Sequence, residues 1–521
     1  MAMSLARSFL TVSGMTMISR VLGLAREIMI AAILGAGPIA EAFFVAFRFP
    51  NLFRRFFAEG AFNMAFVPLF AKRLEGDGAD AARRFGEEAL SGLLSVLFVL
   101  VLAAQLAMPW LIYVIAAGFA DDPDKLSMAV LFAQIQFPYL LFMSLTALFS
   151  GVLNSLGKFA VAAGAPILLN LSMIGAMAAA WALEEPVGHW LSWSVFTAGV
   201  LQFLLVAGAA RRAGIRLKLR AARWTADMKR LVTLGAPGAV AGGVTQINIL
   251  IGTTIATFFD GAVAWLTYAD RVYQLPLGVV GVAIGVALLP ELSRRVRAED
   301  AAGAVNSINR AIEFSLVLTV PAAVALLLIP DTVVRLLFAR GAFGETDVMA
   351  TSHALALFAL GLPAYVLIKA LSPAFFADED TRTPLRYSVV SMIVNVVISV
   401  GLAPVISWSA IPIGTAVAAW VNVWLLWRGI GETGVYKPDE RLKRRCSRAI
   451  AAALFMGLVL YTGKLLYAGA LTEPFLKYPY GVALILAGLA SYAIAALALG
   501  AFRRSDLSEL RGRRAQTPPA A

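Results

Sequence analysis

Charged side chains stand inside long apolar segments of this chain, where a charge at mid-bilayer is costly. The arginines in three of these segments are Arg20, Arg26, Arg48, Arg54, Arg55 and Arg271. The carboxylates in the same segments are Glu27, Glu41, Glu59 and Asp270. Arginine keeps its charge and presents a planar fork of donors that fits phosphate oxygens bidentately. The excess of cations predicts a water-filled site that binds an anion.

The opposite interpretation is that these charges pair with one another and only hold helices together. Glu27 and Arg48 are expected to be structural in this sense. Lys464 lies near the end of an apolar segment and is expected to extend its ammonium group to the interface. Lys369 remains a further candidate for the anion site.

The composition places most of the chain in lipid. Its 521 residues are 60% hydrophobic and 15% charged, against about 45–50% and about 25% in soluble domains. The formal charge of +12 is explained by basic cytoplasmic loops, so no nucleic-acid partner is expected. With one cysteine and two histidines far apart in sequence, no metal, cofactor or catalytic centre is expected. The chain is predicted not to be an enzyme.

The apolar segments predict an all-α polytopic membrane protein with fourteen transmembrane helices. Met1–Leu10 is interpreted as the start of the first helix and not as a removable signal. With the N-terminus inside, 32 basic residues fall on the cytoplasmic side and 4 on the opposite side, which places both termini in the cytoplasm. The predicted spans are 9–34, 42–70, 89–117, 128–154, 159–182, 187–210, 230–259, 263–290, 311–329, 350–376, 385–407, 410–430, 448–470 and 480–502.

Two parts of the chain resemble each other at a constant offset. Arg48 and Arg271 are 223 positions apart and stand in similar surroundings, while Pro138 and Asn170 recur as Pro363 and Asn395 at an offset of 225. This offset predicts two six-helix lobes related by a pseudo-two-fold axis along the membrane normal, with two extra C-terminal helices. The predicted regions are an N-terminal lobe 1–212, a C-terminal lobe 226–430, spans thirteen and fourteen at 446–502, and a basic cytoplasmic tail 503–521.

Several motifs in the charged segments are specific. Residues 13–26 read SGMTMISRVLGLAR, and residues 41–62 read EAFFVAFRFPNLFRRFFAEGAF. Val67-Pro68, the sequence YADR at 268–271, Leu275-Pro276 and Leu289-Pro290 continue the pattern. Through span twelve the chain closely resembles the MurJ/MviN family of bacterial lipid II flippases, within the multidrug/oligosaccharidyl-lipid/polysaccharide exporter superfamily.

The resemblance implies a flippase that moves lipid II, the undecaprenyl-diphosphate-linked peptidoglycan precursor, from the cytoplasmic to the periplasmic leaflet. It implies that spans thirteen and fourteen form a groove for the lipid tail. Glu41 stands where the family usually has aspartate. The implied substrate-binding residues are Arg20, Arg26, Arg54, Arg55 and Arg271, and the implied acidic partners or gate residues are Glu41, Glu59 and Asp270.

Other functions remain open at this point. A flippase for another polyprenyl-linked saccharide, such as an O-antigen unit, would need the same fold. A polyprenyl-phosphate glycosyltransferase would need acidic metal-binding loops or a sizeable domain outside the membrane, and a scaffold protein would not need its buried arginines. The expected partners are lipid II, membrane lipids and peptidoglycan-synthesis proteins, and a monomer in the bacterial inner membrane is expected.

Overall fold

The computed structural model describes residues 2–54, 61–221, 223–432, 438–466 and 475–502. Within these ranges the regular structure is helical and no strand occurs. Nine helical segments in these ranges are long and apolar enough to cross a membrane. The predicted all-α polytopic class is therefore confirmed, whereas the count of fourteen spans stays a prediction.

The first of two compact units comprises Met1–Ala264 and Arg340–Gly344. A short 3₁₀ helix, Ala117–Asp121, lies between its fourth and fifth α-helices. The α-helices are α1 (Ala2–Leu34), α2 (Pro38–Arg54), α3 (Ala61–Gly76), α4 (Ala79–Ile115), α5 (Pro123–Gln136), α6 (Tyr139–Ser155), α7 (Phe159–Leu183), α8 (Val187–Arg212) and α9 (Ala226–Ala256).

The second unit comprises Trp265–Ala339 and Glu345–Ala521. Its helices are α10 (Ala262–Arg297), α11 (Ala301–Leu328), α12 (Pro330–Phe338), α13 (Glu345–Ala359), α14 (Leu362–Ala377), α15 (Arg382–Ile406), α16 (Ala410–Glu432), α17 (Glu440–Leu466) and α18 (Lys477–Leu499). The predicted C-terminal lobe began at 226, but α9 packs on α3 and α4 and so lies in the first unit. The lobe boundaries stay a prediction.

The prolines of the predicted repeat mark equivalent helix breaks. Pro138 separates α5 from α6, and Pro363 lies in the first turn of α14, just after the break that follows α13. Proline lacks the backbone N–H that a continuous helix would need. The repeat found in the sequence therefore coincides with a similar local structure in each unit.

Polar contacts fix α17 and α18 within the second unit. Near the start of α17, Arg445 Nη1 lies 2.5 Å from Glu313 Oε1 of α11. Near its end, Lys464 Nζ lies 2.7 Å from Asp331 Oδ1 of α12. The ammonium group of Lys464 thus has a carboxylate within reach, and the expectation that it extends to the interface stays a prediction. The Tyr492 hydroxyl of α18 donates to the Val317 carbonyl of α11.

Candidate functional site

Arg26 lies in α1 and is buried, with 6% of its surface exposed. Its Nη2 lies 2.5 Å from Glu27 Oε1, and its Nη1 donates to Asn170 Oδ1 of α7 at 3.0 Å. The Met173 sulfur lies 3.6 Å from the same Nη1. In this conformation the guanidinium therefore contacts protein groups from two helices.

Asn170 joins this cluster to the backbone of α1. Its amide nitrogen donates to the Ser19 carbonyl at 2.9 Å, while its oxygen accepts from Arg26. Asn170 also packs beside Gly23, where an added Cβ would lie 3.7 Å from the Asn170 oxygen, an ordinary van der Waals contact. The asparagine thus fixes the stretch of α1 that contains both predicted substrate arginines.

Arg20 is exposed on the surface of α1, unlike Arg26. The two arginines are six positions apart, which separates them by about 9 Å along a helix. The described part of α1 from Thr11 to Leu34 contains one carboxylate, Glu27, and that carboxylate pairs with Arg26. The net positive charge of this stretch is therefore located at Arg20.

Glu41 belongs to a second buried cluster. Its Oε2 lies 2.5 Å from Lys125 Nζ, and the two side chains are 1% and 4% exposed. The backbone N–H of Val263 donates to Glu41 Oε1 at 3.1 Å, and Lys125 also reaches Asp260 Oδ1 at 3.1 Å. The ion-pair partner of Glu41 is thus a lysine and not one of the arginines that its sequence neighbours had suggested.

Arg48 projects from α2 toward α9. Its Nη1 donates to the Thr253 hydroxyl at 2.5 Å, and Thr253 is 2% exposed. The contact connects the two helices, which agrees with the structural role expected for Arg48. Asn51, one turn later, donates to the Phe47 carbonyl.

The predicted residues of α10 and α14 lie in the second unit. Asp270 and Arg271 are half-buried, and Asp270 Oδ2 accepts from Gln274 Nε2 at 2.5 Å. Lys369 is exposed on α14. Arg20, Arg26 and Glu41 lie in the first unit.

The remaining predicted residues are Arg54, Arg55 and Glu59. Arg55 and Glu59 lie outside the described residues, and the Arg54 side chain does as well, although its backbone ends α2. Their assignments stay predictions.

Sequence reasoning missed Lys125 and Asn170 as site residues. A signal for Lys125 was available, because it is a basic residue among aspartates in a loop predicted to lie on the side with few basic residues. Asn170 had been noticed only as a marker of the repeat. Its contact with Arg26 joins residues that are 144 positions apart, and a single sequence does not reveal that residues so far apart lie in contact.

The fold of this chain is that of a class of polytopic helical membrane proteins with solved structures. It is similar to a solved inward-facing multidrug resistance MATE family transporter of the MOP superfamily, with a TM-score of 0.66 and 14% identity over 82% of this chain and 98% of that one. It is also similar to a solved lipid II flippase MurJ in an inward closed conformation, with a TM-score of 0.79 and 22% identity over 93% of this chain and 97% of that one.

Sequence comparison narrows this class to one family. The family model described as lipid II flippase MurJ matches residues 30–479. A relative from Rhizobium tropici, named probable lipid II flippase MurJ, is 48% identical over 510 residues, covering 96% of this chain and 95% of that protein. The chain belongs to the lipid II flippase MurJ family. The family match extends past the twelfth predicted span, where the resemblance found in the sequence ended.

Proposed function

We propose that this chain carries lipid II across the bacterial inner membrane, from the cytoplasmic to the periplasmic leaflet. Family membership supports the proposal, since a relative that is 48% identical over nearly the whole chain carries the name of a lipid II flippase. The alternative substrate, another polyprenyl-linked saccharide, is not favoured by that name. The transported molecule needs no covalent change, so the protein acts as a transporter and not as an enzyme.

The charge balance of α1 is the structural observation that carries the proposal. Arg26 already has Glu27 as its partner, and Arg20 is exposed on the same helix. An exposed cation in an otherwise apolar helix favours an anionic ligand. A diphosphate offers several oxygens for such groups, and guanidinium binds them bidentately. Only the polar head group needs to be bound by these cations during the movement, because the polyprenyl chain can stay in lipid.

The substrate-binding residues we propose are the arginines that match the family motifs. Arg26 would have to exchange Glu27 and Asn170 for phosphate oxygens, whereas Arg20 could bind without losing a buried partner. The full set is Arg20, Arg26, Arg54, Arg55 and Arg271, with Glu41, Glu59 and Asp270 as acidic partners or gate residues and Lys369 as a further candidate.

Alternating access is the mechanism we propose for this movement. A ligand shifts a conformational equilibrium only by as much as it binds one state better than the other. Here the bound diphosphate would offset the mutual repulsion of the arginines and favour a closed state. The driving force would be an ion gradient or the membrane potential, which supplies about 2.3 kcal/mol per charge at 100 mV.

Contacts in the first unit support the proposed topology, with both termini in the cytoplasm. Two connections predicted on the periplasmic side contact each other, and a third contacts the periplasmic end of the first predicted span. Lys125 lies 3.1 Å from Asp260, and the Ala342 N–H donates to the Ala32 carbonyl at 2.7 Å. Membrane lipids and peptidoglycan-synthesis proteins are the surroundings we propose for a monomeric transporter.

Depletion of the protein in cells tests the function directly. Lipid II should accumulate in the cytoplasmic leaflet, where an impermeant enzyme or reagent added from outside does not reach it. The purified protein in vesicles should then move lipid II between leaflets, and a vesicle carrying an unrelated polytopic protein serves as the control. Unchanged lipid II sidedness after depletion would eliminate the assignment.

A further inference from the structure

Tyr273 of α10 carries a hydroxyl group that has no hydrogen-bond partner among the described residues. The residue is buried, with 4% of its surface exposed. A tyrosine hydroxyl that is removed from water usually finds a partner, because leaving it unpaired costs free energy. Unpaired groups of this kind are rare in native proteins and often belong to a functional site. The surroundings of Tyr273 indicate which group is its partner in another state of the protein.

Two aromatic rings hold the ring of Tyr273 in place. Its centroid lies 5.7 Å from that of Phe358 in α13 and 5.9 Å from that of Tyr365 in α14. The break between α13 and α14 is fixed in turn, because Trp420 Nε1 of α16 donates to the Leu360 carbonyl at 2.9 Å. The Tyr273 hydroxyl is therefore held where it is, and its partner has to be a neighbouring group.

Asp270 is a neighbour of Tyr273 that carries acceptor oxygens. It stands three positions earlier in α10, and side chains three positions apart on a helix are neighbours. Helical side chains lean toward the N-terminus of their helix, which directs the Tyr273 ring toward the turn that contains Asp270. The Asp270 charge interacts electrostatically with the phenol groups of both Tyr273 and Tyr365. The Asp270 carboxylate is therefore the acceptor that the Tyr273 hydroxyl can gain through a side-chain rotation.

In this structure Asp270 accepts from a different donor. Its Oδ2 lies 2.5 Å from Gln274 Nε2, and Gln274 is exposed whereas Tyr273 is buried. The carboxylate is thus held on the side of Gln274, directly beside Arg271 in sequence, which is one of the proposed substrate-binding cations. A negative charge in this position repels phosphate oxygens and weakens the attraction that Arg271 exerts on them.

We propose that Tyr273 is a positioning residue for the anion site: its hydroxyl replaces Gln274 as the donor to Asp270 when a substrate phosphate binds to Arg271. The exchange moves the negative charge toward the interior of the second unit and gives the phenol the partner that it lacks here. Only the Asp270 side chain has to rotate, because both donors lie within about one turn of it. The inference deepens the proposed function and rests on it, since lipid II supplies the phosphate.

Tyr273→Phe tests this role because it removes only the hydroxyl group. The thermal stability in detergent should stay the same or rise, since no hydrogen bond of this structure is lost. The affinity for lipid II and the flipping rate at limiting lipid II should both fall about tenfold, as expected for losing a hydrogen bond to a charged group. Tyr387→Phe removes the hydroxyl of a half-buried tyrosine in α15 and is the matched control, which should bind and flip lipid II normally.

A double variant shows whether Tyr273 acts through the Asp270 carboxylate. With Asp270→Asn as background, no negative charge has to be moved away from the phosphate. Adding Tyr273→Phe to that background should therefore leave the affinity for lipid II unchanged, because the effects of two residues that act together are not additive. The same loss of affinity in both backgrounds would show that Tyr273 does not act on Asp270 and would overturn the inference.

Infrared spectroscopy of the purified protein with ring-labelled tyrosine observes the new hydrogen bond directly, with inorganic diphosphate as the probe. Diphosphate should shift a tyrosine C–O band, and this shift should be absent from both Tyr273→Phe and Asp270→Asn. The same band shift in Tyr273→Phe as in the unchanged protein, or an unchanged affinity for lipid II in that variant, would overturn the inference. A protein that shows the expected shift but does not move lipid II would refute the proposed function alone.

Discussion

Arg26 and Glu27 are neighbours in sequence, and both are buried, which complicates the simplest test of a substrate arginine. Removing one member of a buried ion pair typically costs about 3–5 kcal/mol, because the other charge is left without a partner. A loss of transport in Arg26→Ala could therefore reflect misfolding. The design of the experiment has to separate the two effects.

We expect that Arg26→Ala lowers both the membrane abundance and the thermal stability of the protein. Adding Glu27→Gln should restore abundance, because no buried carboxylate is then unpaired, but it should not restore lipid II movement. The measurements are immunodetection in membranes, thermal unfolding in detergent, and flipping in vesicles. Recovered flipping in the double variant would show that Arg26 only neutralises Glu27.

Arg20 offers a cleaner substitution because its side chain is exposed. Arg20→Ala should leave the thermal stability unchanged and lower the flipping rate by about tenfold, as expected for losing a hydrogen bond to a charged group. Lys72→Ala, at an exposed cation near the end of α3, is the matched control and should flip lipid II normally. Equal rates for Arg20→Ala and the unchanged protein would remove Arg20 from the proposed site.

A single sequence shows which charged residues lie in apolar segments, but it does not show which groups contact them or how deeply they are buried. A charge within an apolar segment is visible in one sequence, so Arg20, Arg26 and Glu41 were found as candidates. The partners of these charges were not visible, since Asn170 and Lys125 approach them only through the packing of α7 and α5. Burial was not visible either, and it distinguishes Arg20 from Arg26.

At the scale of elements, the sequence predicted helices well because hydropathy and the length of a span are local properties. The helix breaks at Pro138 and Pro363 were equally accessible, since proline acts on its own backbone. The assignment of α9 to the first unit was not accessible. It depends on contacts such as Arg73 with Asp227, which are 154 positions apart.

Among the ion-paired residues that connect helices of the second unit, Glu313 is the one whose substitution should lower the stability of the protein most. Glu313→Gln removes the charge beside Arg445, whose side chain is 10% exposed, and we expect a loss of about 3 kcal/mol of unfolding free energy. Glu440→Gln breaks an exposed pair with Lys443 and should leave the unfolding free energy nearly unchanged, because water screens this pair. Thermal unfolding of both variants in the same detergent gives the comparison. Equal losses would show that the buried pair does not stabilise α17.

At the scale of the whole molecule, the orientation in the membrane is the property to test. Asp260→Cys and Asp80→Cys place thiols at side chains that are 101% and 77% exposed, in predicted loops on opposite sides. With Cys446→Ser as background, an impermeant maleimide should label position 260 in intact spheroplasts and position 80 only after lysis. Labelling of position 80 in intact spheroplasts would reverse the proposed topology.

The two ion pairs at the ends of α17 determine how this helix can move. Glu313 holds it near one end and Asp331 near the other, on two consecutive helices of the same unit. A slide of one helical turn, about 5.4 Å, would break both pairs together. The helix thus has a fixed register against α11 and α12. An acyl chain that lies along α17 would therefore meet the same side chains at the same positions relative to these two helices.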